Sequence, residues 1–207
     1  MSYQAQISRT SPTAFLFVVD QSGSMADKMS SGRSKAEFVA DALNRTLVNL
    51  VTRCSKSEGV RDYFDVGVIG YSGTTVGNGF TGPLSGKILN AISEIERSPL
   101  RVEDRKRKMD DGAGGIIETS IKFPVWFEPS ANGGTPMHAA LTKAAEELVA
   151  WCDAHPECYP PTVLHVTDGE SSDGDPEAIA SNLGQIRTND GEVVAVSYTH
   201  LTLPTNR

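Results

Sequence analysis

No stretch of this 207-residue sequence stays apolar for the roughly 18 residues a membrane-spanning helix needs, so nothing reads as a span. Its opening segment, Met1 to Ser11, lacks an apolar signal core, and export through a signal peptide is not expected. Cysteine is scarce. Cys54, Cys152 and Cys158 do not make a disulfide framework, and no second pair completes a zinc knuckle around Cys152 and Cys158. Reduced thiols in a cytoplasmic protein are the expectation. Positive charge is also short. The formal net charge of −7 argues against nucleic acid as the main partner, because such binding depends on Lys and Arg neutralising phosphates.

Catalytic motifs are missing as well. There is no GxSxG nucleophile elbow. Gly82 to Lys87 (GPLSGK) is one residue short of P-loop spacing. A haloacid-dehalogenase-type phosphatase also places Asp after its first strand, but it needs a second Asp two residues on, where this chain has Ser22. His138, His155 and His165 are scattered. His165 lies in an apolar strand and is expected to be a satisfied core residue, and His138 is expected on a helix surface. Asp173-Gly174-Asp175 lacks the acidic ladder and closing Glu of a calcium loop and reads as solvated. The chain is therefore expected not to be an enzyme.

What the sequence does have is alternation. Thr13 to Val19 (TAFLFVV) is short, apolar and rich in β-formers, as in a strand buried on both faces of a parallel sheet. Ser34 to Val51 follows with helical spacing, placing Phe38, Ala42, Leu43, Leu47, Leu50 and Val51 on one face. Ser34 with Glu37 three residues on is a capping-box pattern. Tyr63 to Tyr71 is a second strand, and a short helix over Lys87 to Glu96 is expected. The mixed-charge run Arg101 to Asp111 reads as a solvated loop. Ser120 to Phe127 reads as an edge strand because of Pro124, with Trp126 and Phe127 covering the core. Met137 to Trp151 is a strong helix, with Thr135 as its cap and Pro136 at its first position. Thr162 to Thr167 is another buried strand. Pro176 to Ile186 is a helix, and a last strand starts at Glu192. The fold expected is α/β, with a doubly wound, mostly parallel sheet carrying helices on both faces. It forms a single domain over residues 1–195, with a long insertion at about residues 78–119.

The residues that carry chemistry lie at strand ends, where such sheets gather their ligands. Asp20-Gln21-Ser22-Gly23-Ser24 directly follows the first buried strand. A carboxylate and two hydroxyls at alternate positions converge if the loop curls at Gly23. Such oxygen donors suit a hard cation. Gly133-Gly134-Thr135-Pro136 adds a hydroxyl on a tight loop. Thr167-Asp168-Gly169 adds a carboxylate at the end of another strand.

In this pattern the chain resembles the von Willebrand factor A domain family, whose metal-ion-dependent adhesion site is DxSxS with a distant Thr and a distant Asp. The resemblance runs from about Thr13 to Ala195. It implies that Ser22, Ser24 and Thr135 offer hydroxyls to Mg²⁺ or Mn²⁺, and that Asp20 and Asp168 act directly or through waters. It also implies a protein partner that supplies an Asp or Glu to the metal. QSGSM, GGTPM and TDGE look like bacterial intracellular members, some of which work in stress or signalling complexes. The alternative within the family is a non-catalytic subunit assisting an AAA+ ATPase or chelatase-type machine. Val196 to Thr205 (VSYTHLTLPT) resembles a translated transposon-end sequencing adapter. Residues 196–207 are therefore expected to be an artefact, and the native C-terminus, with a last helix, to be missing.

Overall fold

The computed structural model describes residues 3–110 and 116–198. Strand β1 (Thr13–Asp20) leads through a 3-10 turn at Gly23–Ala26 into helix α1 (Lys35–Cys54). A small ribbon, β2 (Ser55–Lys56) with β3 (Gly59–Val60), turns the chain into β4 (Phe64–Ser72). Next come β5 (Thr75–Asn78), β6 (Leu89–Ala91), the short helix α2 (Ile92–Arg97), and a hairpin of β7 (Arg101–Asp110) and β8 (Ile116–Val125). Helix α3 (Met137–Ala154), β9 (Thr162–Val166), α4 (Glu177–Leu183), a ribbon of β10 (Arg187–Thr188) and β11 (Gly191–Glu192), and β12 (Val194–Tyr198) complete the described chain.

The result is a mixed α/β fold around one six-stranded, mostly parallel sheet in the order β12-β9-β1-β4-β5, with four helices among the described residues. β1 pairs in parallel with β4 and β9, and β9 with β12. β5 and β6 run antiparallel along one edge of β4, β5 beside Ile69–Ser72 and β6 beside Asp65–Gly67. Side chains of β1 alternate between two cores, as the pleat requires. Phe17 and Val19 pack with α1 residues Val39, Leu43 and Leu47, while Leu16 and Val18 pack with α3 residues Ala140, Ala144 and Leu148. No helix among the described residues is long and apolar enough to cross a membrane.

Several sequence expectations change. The capping box at Ser34 and Glu37 is present, but the buried face of α1 is rotated. It carries Ala36, Val39, Ala40, Leu43, Asn44 and Leu47, whereas Phe38 and Ala42 are exposed. Asn44 explains the difference. It is polar yet only 2% exposed, and its amide is consumed by backbone groups of α1 and of the segment after β8. The short helix expected from Lys87 begins only at Ile92, because Leu89–Ala91 pairs with β4. Arg101–Asp110 is a strand, not a loop. Charges in its first half are matched across the hairpin and to α1: Asp104 faces Lys122 at 2.8 Å, and Arg105 lies 3.6 Å over the Phe123 ring while reaching Asp41. Pro124 does lie on an edge, but of this hairpin and not of the central sheet. Trp126 and Phe127 are core residues, as expected. Residues 78–119 thus hold β6, α2 and most of the hairpin. Of the presumed tail, Val196 to Tyr198 extends β12 along β9; residues 199–207 lie outside the described residues.

Candidate metal site

The parallel register of β1 and β9 aligns Val19 with Val166, so the next residues, Asp20 and Thr167, meet where the two strands end. Asp20 is 1% exposed and accepts two hydrogen bonds, from the Ser22 amide at 2.8 Å and the Thr167 hydroxyl at 2.7 Å. A buried carboxylate is tolerated when it is satisfied in this way. The first bond also bends the chain back over the strand end. Ser22 turns into the 3-10 turn, which is anchored by the fully buried Met25.

This curl brings hydroxyls and carboxylate together. The Ser22 and Ser24 Oγ atoms are 3.1 Å apart, and Ser24 Oγ donates to Asp168 Oδ1 at 2.7 Å. Oxygen ligands on adjacent corners of a Mg²⁺ octahedron sit about 3 Å apart. The two separations that meet at Ser24 Oγ are of that size. Among the described residues, no group of three or more His, Cys, Asp or Glu side chains is placed to hold a metal ion. A cation here would thus depend on hydroxyls and two carboxylates.

Thr135 is the fifth residue of the expected set. Its loop is sewn to the Asp20–Ser24 loop: Asn132 N–H donates to the Gln21 carbonyl at 2.7 Å, and Gly23 N–H to the Gly133 carbonyl at 2.9 Å. Gly133 has φ +65°, and a Cβ there would lie 2.6 Å from the Cα of Gly73, so only glycine fits this crossing. The Thr135 amide donates to Ser172 Oγ at 3.0 Å, and its carbonyl accepts from the Ser172 amide at 2.9 Å. Its hydroxyl is not hydrogen-bonded to Asp20, Ser22, Ser24 or Asp168. The structure therefore links three of the five side chains, Ser22, Ser24 and Asp168, through their own oxygens, sets Asp20 behind them through the Ser22 amide and Thr167, and seats Thr135 on an adjoining loop.

Thr135 is not the cap of α3, and Pro136 is not its first residue. Pro136 occupies the cap position and offers no side-chain bond. Asp173 does the capping from another loop, accepting from the His138 and Ala139 amides at 2.9 Å each. A carboxylate at the positive end of a helix is stabilised there. Partial burial opposes ionisation of Asp173, but these amides and the Ser171 hydroxyl outweigh it and hold its pKa below the usual range. Asp173 is thus structural, where the sequence reads as a solvated loop.

Lys35 is a residue that motif reasoning missed. It is the first residue of α1, and its Nζ donates to Asp168 Oδ2 at 2.7 Å and to Asp27 Oδ2 at 3.3 Å. The Asp168 hydrogen bond, with help from Asp27, raises the pKa of this lysine despite its partial burial. No spacing rule connects positions 35 and 168; only the fold does. Behind the site, the Tyr71 hydroxyl meets His165 Nε2 at 2.8 Å, and His165 Nδ1 meets Ser197 Oγ at 3.2 Å. His165 is therefore a satisfied core residue, as expected. Burial pushes its pKa down to about 4 against the opposing charge of Asp20, so the ring is neutral at pH 7. Burial, reinforced by Asp20, raises the pKa of Tyr71.

No protein-family profile and no curated protein matches this sequence. Among solved structures, the chain is similar to a crystal structure of three N-terminal domains of the type V pili tip protein Mfa5 from Porphyromonas gingivalis. Identity is 14%, coverage is 78% of this chain and 20% of that one, and the TM-score is 0.39. The chain spans about a fifth of that structure's length, and at this level of likeness nothing about fold family or function passes from one to the other.

Proposed function

We propose that the chain is a divalent-metal-dependent protein-interaction domain of the von Willebrand factor A type, with its sheet doubly wound and its metal site at the strand ends. The observation that carries this reading is the clustering of Ser22, Ser24 and Asp168 oxygens at 3.1 and 2.7 Å, in front of an Asp20 that is itself fixed by Ser22 and Thr167. Ser22 Oγ, Ser24 Oγ and Asp168 Oδ1 would hold Mg²⁺ or Mn²⁺. Asp20 would hold the curl of the loop from behind through the Ser22 amide, and Thr135 would approach from its own loop. When bound, the metal supplies a Lewis-acidic position for an anionic ligand. Two carboxylates only balance a divalent charge, so a partner's Asp or Glu side chain is an electrostatically welcome further ligand.

Binding is favoured over catalysis because, among the described residues, the histidine and the lysine nearest the cluster are both already engaged. Both nitrogens of His165 are occupied, and Lys35 is held by carboxylates. The reading is tested with glutamate-containing and glutamine-matched peptides, titrated into the protein in Mn²⁺ and then in excess EDTA. Binding that needs both the carboxylate and the metal supports it. Glutamate and glutamine peptides that behave alike in Mn²⁺ would remove the carboxylate-ligand part of the proposal.

A further inference from the structure

The geometry points to Lys35 as an internal cation of this site, one that holds Asp168 in the metal-free chain and must leave when a divalent ion binds, so that it sets the site's affinity. The inference rests on the metal reading above and adds to it a residue outside the motif.

Three observations support it. First, a lysine at the first position of a helix sits at the positive end of the helix dipole, where a cation is disfavoured. Lys35 is at that position of the 20-residue α1, and two carboxylates compensate it. Second, Asp168 is divided between two donors. Its Oδ1 accepts from Ser24, the oxygen a metal would use, and its Oδ2 accepts from Lys35. The Asp168 side chain is 3% exposed, so a cation meeting it has little surrounding water to screen it from the ammonium. Third, the ammonium has somewhere to go. Asp27 Oδ2 is already within 3.3 Å, and its side chain is 68% exposed. Lysine carries a point charge on a flexible stem, so rotation about its outer bonds transfers the ammonium from Asp168 to Asp27 without moving the backbone.

The charge arithmetic gives the size of the effect. An ammonium that stayed about 5 Å from a divalent ion would weaken binding on the order of 10-fold even at the dielectric of water, and one that leaves gives up its Asp168 ion pair instead, a cost taken to be of the same order. Lys35→Gln is therefore expected to bind Mn²⁺ roughly 10-fold more tightly than the unmodified chain, and Lys35→Arg, which keeps the charge, to bind it no more tightly. Without metal, Lys35→Gln leaves the Asp168 charge without its ammonium and is expected to melt at a lower temperature, with Mn²⁺ restoring more stability to it than to the unmodified chain.

The experiment is a calorimetric Mn²⁺ titration of the unmodified chain, Lys35→Gln and Lys35→Arg. Tighter binding by Lys35→Gln alone supports the exchange, including the case where only Lys35→Gln binds at all. Binding by the unmodified chain that Lys35→Gln equals or weakens overturns the exchange and leaves the metal site standing. Absence of binding in all three folded proteins overturns the metal reading and the exchange with it. If Lys35→Gln does not fold, ¹⁵N resonances of the lysine ammonium groups in the unmodified chain decide. The Lys35 signal is expected to shift as Mg²⁺ is added, and an unshifted signal at saturating Mg²⁺ would overturn the exchange.

Discussion

Replacing Asn44 by alanine should destabilise the whole domain, because one buried amide holds the segment after the hairpin against α1. Asn44 Nδ2 donates to the Phe127 carbonyl at 2.8 Å, and its Oδ1 accepts from the Trp126 and Phe127 amides at 2.8 and 3.1 Å. Trp126 and Phe127 are each 2% exposed, so water does not readily replace the lost partner. Asn44→Ala orphans three backbone groups. Each unsatisfied buried group costs about 1–3 kcal/mol, and with some relaxation we expect a loss of about 3–5 kcal/mol in all. In a domain of this size that lowers the melting temperature by roughly 10 °C or more. Urea unfolding followed by tryptophan fluorescence measures it directly, since Trp126 stands at the altered contact. Asn44→Leu, which refills the volume without the polar atoms, should lose a comparable amount. If Asn44→Ala costs less than about 1 kcal/mol with an unchanged slope in urea, the hydrogen-bond reasoning is wrong. The same variant should speed hydrogen exchange at Trp126 and Phe127. It should also loosen the loop that follows, which carries Gly133 and Thr135.

Two further predictions concern the site and the core behind it. Thr167→Val removes the 2.7 Å bond to the buried Asp20 carboxylate and should cost about 2 kcal/mol in chemical denaturation, as hydrogen bonds to charged groups do; a neutral result would mean that Asp20 is held by Ser22 alone. His165 has a folded pKa near 4, below its ordinary value, so the unfolded chain takes up a proton first as pH falls. The contribution of His165 to stability is then flat above about pH 6.5 and declines between about pH 6.5 and pH 4, by on the order of 3 kcal/mol. His165→Gln should flatten that part of the pH–stability curve, and a curve that keeps its slope in the variant would assign the loss to other groups.

Much of the architecture could be read in the residues because it is written locally. β1 and β9 are short apolar runs, since a central parallel strand is buried on both faces. The start of α1 was legible in Ser34 and Glu37 because a capping box is a contact between residues three apart. The hairpin was not. Two of its opposite-charge pairs, Asp104 with Lys122 and Lys106 with Glu118, join residues far apart in sequence, so a strand that pairs such charges across a partner looks like a solvated loop. The buried face of α1 was misjudged because Asn44 is polar and Phe38 is apolar, and the usual rule inverts when an amide is fully hydrogen-bonded.

The site shows the same division. Asp20, Ser22 and Ser24 are neighbours in sequence, and Gly133 announced a tight loop. Asp168 was placed by the rule that ligands gather at strand ends. Lys35 and Asp173 act on the site and on α3 from other elements, and nothing in their own surroundings in the sequence marks them.

The central claim is most directly tested by a Mn²⁺ titration of the purified chain beside Ser22→Ala/Ser24→Ala, which removes two proposed ligands and leaves the Asp20 bonds to the Ser22 amide and to Thr167 in place. Saturable binding of a single ion by the unmodified chain, lost in the folded variant, is the predicted result. Equal binding by both proteins, or no binding by a folded unmodified chain that also stays silent with Lys35→Gln, would contradict it.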